Sequence, residues 1–132
     1  MRQHRIVLAD DNPELLHYAT RLLAIEFSDV VAVSDGESVL QICETSEPDV
    51  VILDISMGEM SGFEVARRLL DRGQPAKIVF LTVHEEQEFL RAAFGAGGTA
   101  YVVKPRLDSD LLEAVNAVLS GHMFISSSLL HA

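Results

Sequence analysis

The sequence predicts an α/β fold in which parallel strands form one open sheet with helices on both faces. Three observations lead to this prediction. Five short apolar runs are rich in β-branched residues. These runs are continuous rather than alternating, as in strands that are buried on both faces. Segments with helical spacing of apolar residues separate the runs. Five such repeats are too few for a closed barrel, so we expect a doubly wound (βα)5 sheet.

Each element has its own local signal. A first helix is expected after Asp11 or Asn12 as N-cap, with Pro13 in its first turn. Ser61 is the expected cap of the third helix. The expected strands cover 6–9, 30–33, 50–53, 78–81 and 100–103, and the other helices cover about 36–44, 85–96 and 109–120. Right-handed crossovers favour the flavodoxin-like strand order 2-1-3-4-5.

Length and charge limit the possible functions. The 132 residues are enough for one hydrophobic core. The formal net charge of -10 repels phosphate backbones, so we do not expect this chain alone to bind nucleic acid. The single cysteine, Cys43, cannot form an internal disulfide, and no apolar stretch has the length of a membrane span. We therefore expect a cytoplasmic protein without a membrane segment.

Polar residues follow four of the predicted strands. Asp10 and Asp11 follow the first strand, Asp54 the third, Thr82 the fourth and Lys104 the fifth. The carboxyl ends of parallel strands meet at one edge, so these side chains should converge. An aspartate after a strand is often only a turn former or a helix cap. The coincidence of five such residues at successive strand ends favours a functional site.

Three carboxylates at one edge require a positive charge to neutralise them. Oxygen ligands favour Mg²⁺, and zinc is disfavoured because no histidine or cysteine lies at these strand ends. The chemistry that this set supports is phosphoryl transfer to a carboxylate. We expect Asp54 to take the phosphoryl group, Asp10 and Asp11 to position the metal, and Lys104 and Thr82 to contact phosphate oxygens.

Five segments in order resemble the receiver domain of two-component response regulators. The resemblance covers about residues 4–120, and its matching segments are 7–13, 50–57, 60–64, 80–82 and 95–105. It implies that a sensor histidine kinase supplies the phosphoryl group. It also implies that Asp11, Asp54 and the backbone carbonyl of Ser56 bind Mg²⁺ directly, while Asp10 acts mainly through water.

The resemblance implies further roles. Thr82 and Tyr101 would rearrange together on phosphorylation, although Tyr101 could instead be a strand aromatic that only packs. Pro105 would follow a cis peptide bond. Gly58 stands where most relatives carry proline, so the loop after Asp54 is expected to be less constrained.

The last residues and the output are further expectations. Residues 1–120 are assigned to the receiver domain, and 121–132, with a glycine and a serine-rich stretch, to a linker or tail toward a C-terminal helix-turn-helix output domain. We expect a signalling domain rather than an enzyme, with slow autodephosphorylation, dimerisation on phosphorylation, and DNA contact only through an output domain. The alternative is a non-phosphorylated pseudo-receiver that serves as a protein-interaction module. A phosphatase is disfavoured because Ser56 stands where its second acid would be.

Overall fold

A computed structural model describes residues 2–131 of the chain, and the side chains of residues 3–130. Within these residues the strands are β1 Arg2–Ala9, β2 Phe27–Val33, β3 Val50–Leu53, β4 Lys77–Thr82, β5 Ala100–Val103 and β6 Phe124–Ile125. The α-helices are α1 Pro13–Leu23, α2 Gly36–Thr45, α3 Gly62–Asp71, α4 Gln87–Gly95 and α5 Leu107–Leu119. Short 3-10 helices cover Lys104–Arg106 and Ser127–His131. In this part of the chain no helix has both the length and the apolar character that crossing a membrane requires.

The strands form one parallel sheet in the order β2-β1-β3-β4-β5-β6. The predicted order 2-1-3-4-5 is therefore confirmed, with a sixth strand added at the edge. In the register, Ala9 of β1 lies beside Leu53 of β3, and Thr82 of β4 lies beside Val103 of β5. Since each functional residue ends a strand or follows its last residue, this register brings them to one edge of the sheet.

The sheet is covered on both faces. Helices α2, α3 and α4 pack on one face, and α1 and α5 pack on the other. All four residues of β3 are fully buried, as the continuous apolar run predicted. The two apolar layers make the sheet a rigid base for the loops that follow its strands.

The N-caps of α1 and α3 are an asparagine and a serine. The side chain of Asn12 accepts hydrogen bonds from the amides of Glu14 and Leu15, so Asn12 caps α1 and Asp11 does not. Ser61 caps α3 as expected, through the amide of Glu64. Asp11 therefore lies beside the strand ends without serving as the helix cap.

The segment after α5 returns to the sheet. Phe124–Ile125 pair in parallel with β5, and Leu129 is only 4% exposed within the apolar layer that contains Tyr101. The expectation of a linker or tail at 121–132 did not include this strand. A connection from this segment to an output domain stays a prediction.

Candidate functional site

Three aspartates form the centre of the site. Asp10 and Asp11 follow β1 and Asp54 follows β3, and the register places these strand ends side by side. One carboxylate oxygen from each lies within 4.8 Å of those from the other two. Asp10 is fully buried and Asp54 is 4% exposed, whereas Asp11 is exposed. The predicted acidic cluster is therefore brought together.

Lys104 provides a positive charge beside two of these carboxylates. Its Nζ lies 3.2 Å from Oδ2 of Asp54, to which it donates a hydrogen bond. It also lies 2.8 Å from Oδ2 of Asp10, with which it forms an ion pair. Burial favours the neutral amine, but the contacts with Asp10 and Asp54 outweigh it and raise the pKa of Lys104. Lys104 is therefore charged at neutral pH.

The single ammonium does not fully offset the buried negative charge. Burial, followed by the charge of Asp10, raises the pKa of Asp54, and these effects exceed the opposing effects of Lys104 and the Ser56 amide. The Ser56 amide donates to Oδ1 of Asp54 at 3.3 Å. The ionised site in the free protein is thus electrostatically strained and favours a further cation.

The donor set fits a hard divalent cation. All three side chains offer carboxylate oxygens close to one another, and the single Lys104 ammonium offsets only part of their charge. Asp11 is exposed, which leaves one side of the cluster open to solvent. Mg²⁺ uses few carboxylates and keeps several waters, so a half-open cluster suits it.

Thr82 and Tyr101 both contact His84. Thr82 is fully buried at the end of β4, and its hydroxyl oxygen accepts the His84 amide at 3.2 Å, which leaves the hydroxyl proton available to another acceptor. The ring of Tyr101 is fully buried, and its hydroxyl donates to the His84 carbonyl at 2.9 Å. Burial, followed by the charges of Glu86 and Glu85, raises the pKa of Tyr101. The two predicted switch residues are thus linked through one backbone segment.

His84 also joins two loops beside Asp54. Its Nε2 lies 3.0 Å from the hydroxyl of Ser56, in the loop after β3. Its ring stacks on Phe89 of α4, with ring centres 4.1 Å apart and an angle of 2° between planes. A movement of the loop after Asp54 would therefore be passed through His84 to Phe89 in the first turn of α4.

The expectation of a cis peptide bond before Pro105 is wrong, because no peptide bond among residues 2–131 is cis. The trans isomer is intrinsically preferred by about 0.5–1 kcal/mol. It allows Pro105 to lie in the 3-10 turn Lys104–Arg106 while Lys104 still reaches both carboxylates.

Two glycines shape the loop after β3. Gly58 has φ of 64°, a left-handed conformation that suits glycine and that proline cannot adopt. Gly62 is a residue whose role the sequence did not reveal: a Cβ there would lie 2.3 Å from the carbonyl oxygen of Asp54. Its amide donates to the carbonyl of Ile55 at 2.9 Å. Glycine at 62 therefore lets α3 begin directly against the backbone of Asp54.

Comparison with known proteins identifies the family. The family model described as the response regulator receiver domain matches residues 6–116. A curated relative, the transcriptional regulatory protein DegU of Brevibacillus brevis, is 32% identical over 130 residues, which is 96% of this chain and 55% of that protein. An uncharacterized response regulatory protein of Vibrio cholerae is 41% identical over 110 residues, which is 80% of this chain and 41% of that protein. The chain thus spans about half the length of these relatives.

A solved structure gives the same result. The crystal structure of a two-component response regulator of the LuxR family from Aurantimonas superposes with a TM-score of 0.92 at 26% identity, covering 98% of this chain and 94% of that one. The family match, the parallel sheet and the acidic cluster at its carboxyl edge agree with one another. The chain belongs to the receiver domain family of the response regulators of two-component signalling.

Proposed function

We propose that this domain is a signalling switch in which Asp54 accepts a phosphoryl group from a sensor histidine kinase. The observation that carries the proposal is the position of the Asp54 carboxylate: it is almost fully buried, within 4.8 Å of two other carboxylates and hydrogen-bonded to Lys104. A structural aspartate has no need of such a costly environment. A nucleophile needs charged neighbours of this kind, because they position the metal and the phosphoryl oxygens around it.

The reaction forms an oxygen–phosphorus bond from an Asp54 carboxylate oxygen and breaks the nitrogen–phosphorus bond of a phosphohistidine, whose imidazole leaves with the electron pair. The Lys104 ammonium, which contacts Asp54 in the free protein, then contacts one phosphoryl oxygen as a point charge. The Thr82 hydroxyl, whose proton is not used by the His84 amide, donates to a second phosphoryl oxygen. Asp11, Asp54 and the Ser56 carbonyl would hold Mg²⁺ directly, with Asp10 acting through water, and the ion would supply the remaining positive charge at these oxygens. Hydrolysis of the aspartyl phosphate is expected to be slow.

The response to phosphorylation begins at Thr82. A phosphoryl group attracts the Thr82 hydroxyl, which weakens its contact with the His84 amide. Tyr101 is held to the His84 carbonyl, and the His84 ring is stacked on Phe89 of α4. A local charge change can thus be passed to the surface formed by α4 and β5.

The output is proposed to be transcription. The relative from Brevibacillus brevis is named a transcriptional regulatory protein, and this chain covers 55% of it. We propose that the domain works in the cytoplasm, controls a DNA-binding output domain, and dimerises when phosphorylated.

The second candidate is a pseudo-receiver that binds partners without phosphorylation. The raised pKa of Asp54, with burial and Asp10 as its causes, favours the first candidate because a pure interaction module gains nothing from a strained carboxylate. The two candidates differ in one measurable respect, which is whether Asp54 reacts.

The test is intact-mass measurement after incubation with acetyl phosphate and magnesium chloride. The parent and an Asp71→Asn control, changed at an exposed aspartate of α3, are expected to gain one phosphoryl group. Asp54→Asn should gain none. A parent that does not react, or an Asp54→Asn chain that reacts as fast as the parent, would contradict the proposed function.

A further inference from the structure

The C-terminal segment places a polar side chain inside the domain, close to the site. Ser126 follows β6 and is fully buried. Its hydroxyl lies 2.7 Å from Oδ2 of Asp110 in α5 and 3.1 Å from the backbone amide nitrogen of Val103, the last residue of β5. One serine therefore joins the C-terminal segment, α5 and the strand that carries Lys104.

The direction of these hydrogen bonds follows from the charge of Asp110. Burial raises the pKa of Asp110, but hydrogen bonds from Ser126, Ser109 and Arg106 outweigh it and lower the pKa, so the group is ionised at neutral pH. An ionised carboxylate only accepts, so Ser126 must donate its single proton to Asp110. Its oxygen is then oriented to accept the Val103 amide.

The carboxylate of Asp110 also contacts Arg106, which follows Lys104 and Pro105 in the chain. Oδ2 of Asp110 accepts from Nε of Arg106 at 3.1 Å, and Ser126 links it to the amide of Val103. The segment between these two attachments is Lys104–Pro105. The last main-chain hydrogen bond between this segment and β5 runs from the Ser126 amide to the Tyr101 carbonyl at 2.9 Å, so the hydroxyl of Ser126 serves the Val103 amide beyond the end of that ladder.

We propose that Ser126 and Asp110 are positioning residues for Lys104, and that they set where its ammonium lies relative to Asp54. This inference rests on the proposed function. The attachments on each side of Lys104–Pro105 keep that turn in one conformation, in which Nζ lies 3.2 Å from Asp54. The C-terminal segment then contributes to the phosphorylation site, although it lies outside the matched family segment 6–116.

The test compares rates of Asp54 phosphorylation by acetyl phosphate in the 132-residue chain. Ser126→Ala removes the link and is expected to slow the reaction roughly tenfold, since a misplacement near 1 Å can cost up to about 100-fold. Ser128→Ala changes an exposed serine two residues away and should stay within about twofold of the parent rate. Asp110→Asn, which keeps the side-chain volume and removes the charge, is the second variant and should also slow the reaction.

Two controls separate positioning from a loss of folding. Magnesium affinity, measured by calorimetry, should not fall in Ser126→Ala, because the carboxylates follow β1 and β3 rather than β5 and a displaced ammonium competes less with the ion for them. In a Lys104→Met background, Ser126→Ala should cause no further slowing, because Lys104 is the residue through which it acts.

The outcomes also separate the two proposals. A parent chain that takes no phosphoryl group overturns both the proposed function and this inference. A parent that reacts, with Ser126→Ala and Asp110→Asn reacting at the parent rate, overturns the inference alone. The inference also fails if Ser126→Ala slows the Lys104→Met chain as much as it slows the parent, or if magnesium affinity falls in proportion to the rate.

Discussion

Replacing Lys104 with methionine tests the electrostatic account of the site in the absence of any phosphodonor. The change keeps a long side chain and removes the ammonium that lies 2.8 Å from Asp10 and 3.2 Å from Asp54. The two carboxylates are almost fully buried, and the lysine side chain is 16% exposed. The variant therefore leaves two buried carboxylates without their cation.

The expected loss follows from these distances. At an effective dielectric constant of about 20, the two contacts correspond to gross attractions of about 6 and about 5 kcal/mol. Desolvation of the ions offsets much of this, and removing one partner of a buried ion pair typically costs about 3–5 kcal/mol. We expect Lys104→Met to lower the free energy of unfolding by about 3 kcal/mol at neutral pH without magnesium.

Urea unfolding followed by circular dichroism measures this loss, for parent and variant, with and without saturating magnesium chloride. Bound Mg²⁺ neutralises the same carboxylates, so the loss should fall to less than half in magnesium. An equal loss under both conditions would refute the reasoning, because it would show that Lys104 stabilises the fold through packing of its stem rather than through its charge.

Three further predictions concern the surroundings of the site. Gly62→Ala should destabilise the fold by about 1–3 kcal/mol in urea unfolding and slow Asp54 phosphorylation, because its Cβ would lie 2.3 Å from the Asp54 carbonyl oxygen. Gly95→Ala, with open space around the new methyl, is the control, and equal effects of the two substitutions would contradict the steric argument. In magnesium-free buffer, the free energy of unfolding of the parent should fall as pH rises from the ordinary carboxyl pKa through the raised pKa of folded Asp54, because the folded state holds that proton more tightly. Asp54→Asn should lack this fall, and a variant with the same pH slope as the parent would show that Asp54 is not its cause. Leu129→Ala should cost about 2 kcal/mol in the same assay and Leu130→Ala, at a 63% exposed position, less than about 0.5 kcal/mol; equal small losses would mean that the C-terminal segment does not pack as described.

The fold and the centre of the site were predictable because parallel strands place their carboxyl ends at one edge. A continuous apolar run such as β3 reveals a strand buried on both faces, and the residue after it must then lie at that edge. Asp10, Asp11 and Asp54 could thus be brought together from strand order alone. The Lys104 contacts followed from the same rule, although their distances did not.

The remaining features depend on contacts between distant segments. Strand β6 has only two residues, too few for a periodic signal, and its pairing depends on where α5 ends. The link from Ser126 to Asp110 and the close approach of Gly62 to Asp54 leave no local trace, because each requires the folded sheet. At Pro105 the resemblance implied the rarer isomer, and the local 3-10 turn adopts the commoner one.

The central claim is that the phosphoryl group is carried by the carboxylate of Asp54. Borohydride reduces an aspartyl phosphate to homoserine, so reduction of the acetyl phosphate-treated chain followed by peptide mass spectrometry locates the modified residue. Homoserine is expected at position 54 in the magnesium-treated parent, and none is expected when magnesium is chelated before the phosphodonor is added. Homoserine at another aspartate, or unmodified aspartate at position 54 in a chain that has gained phosphoryl mass, would contradict the claim.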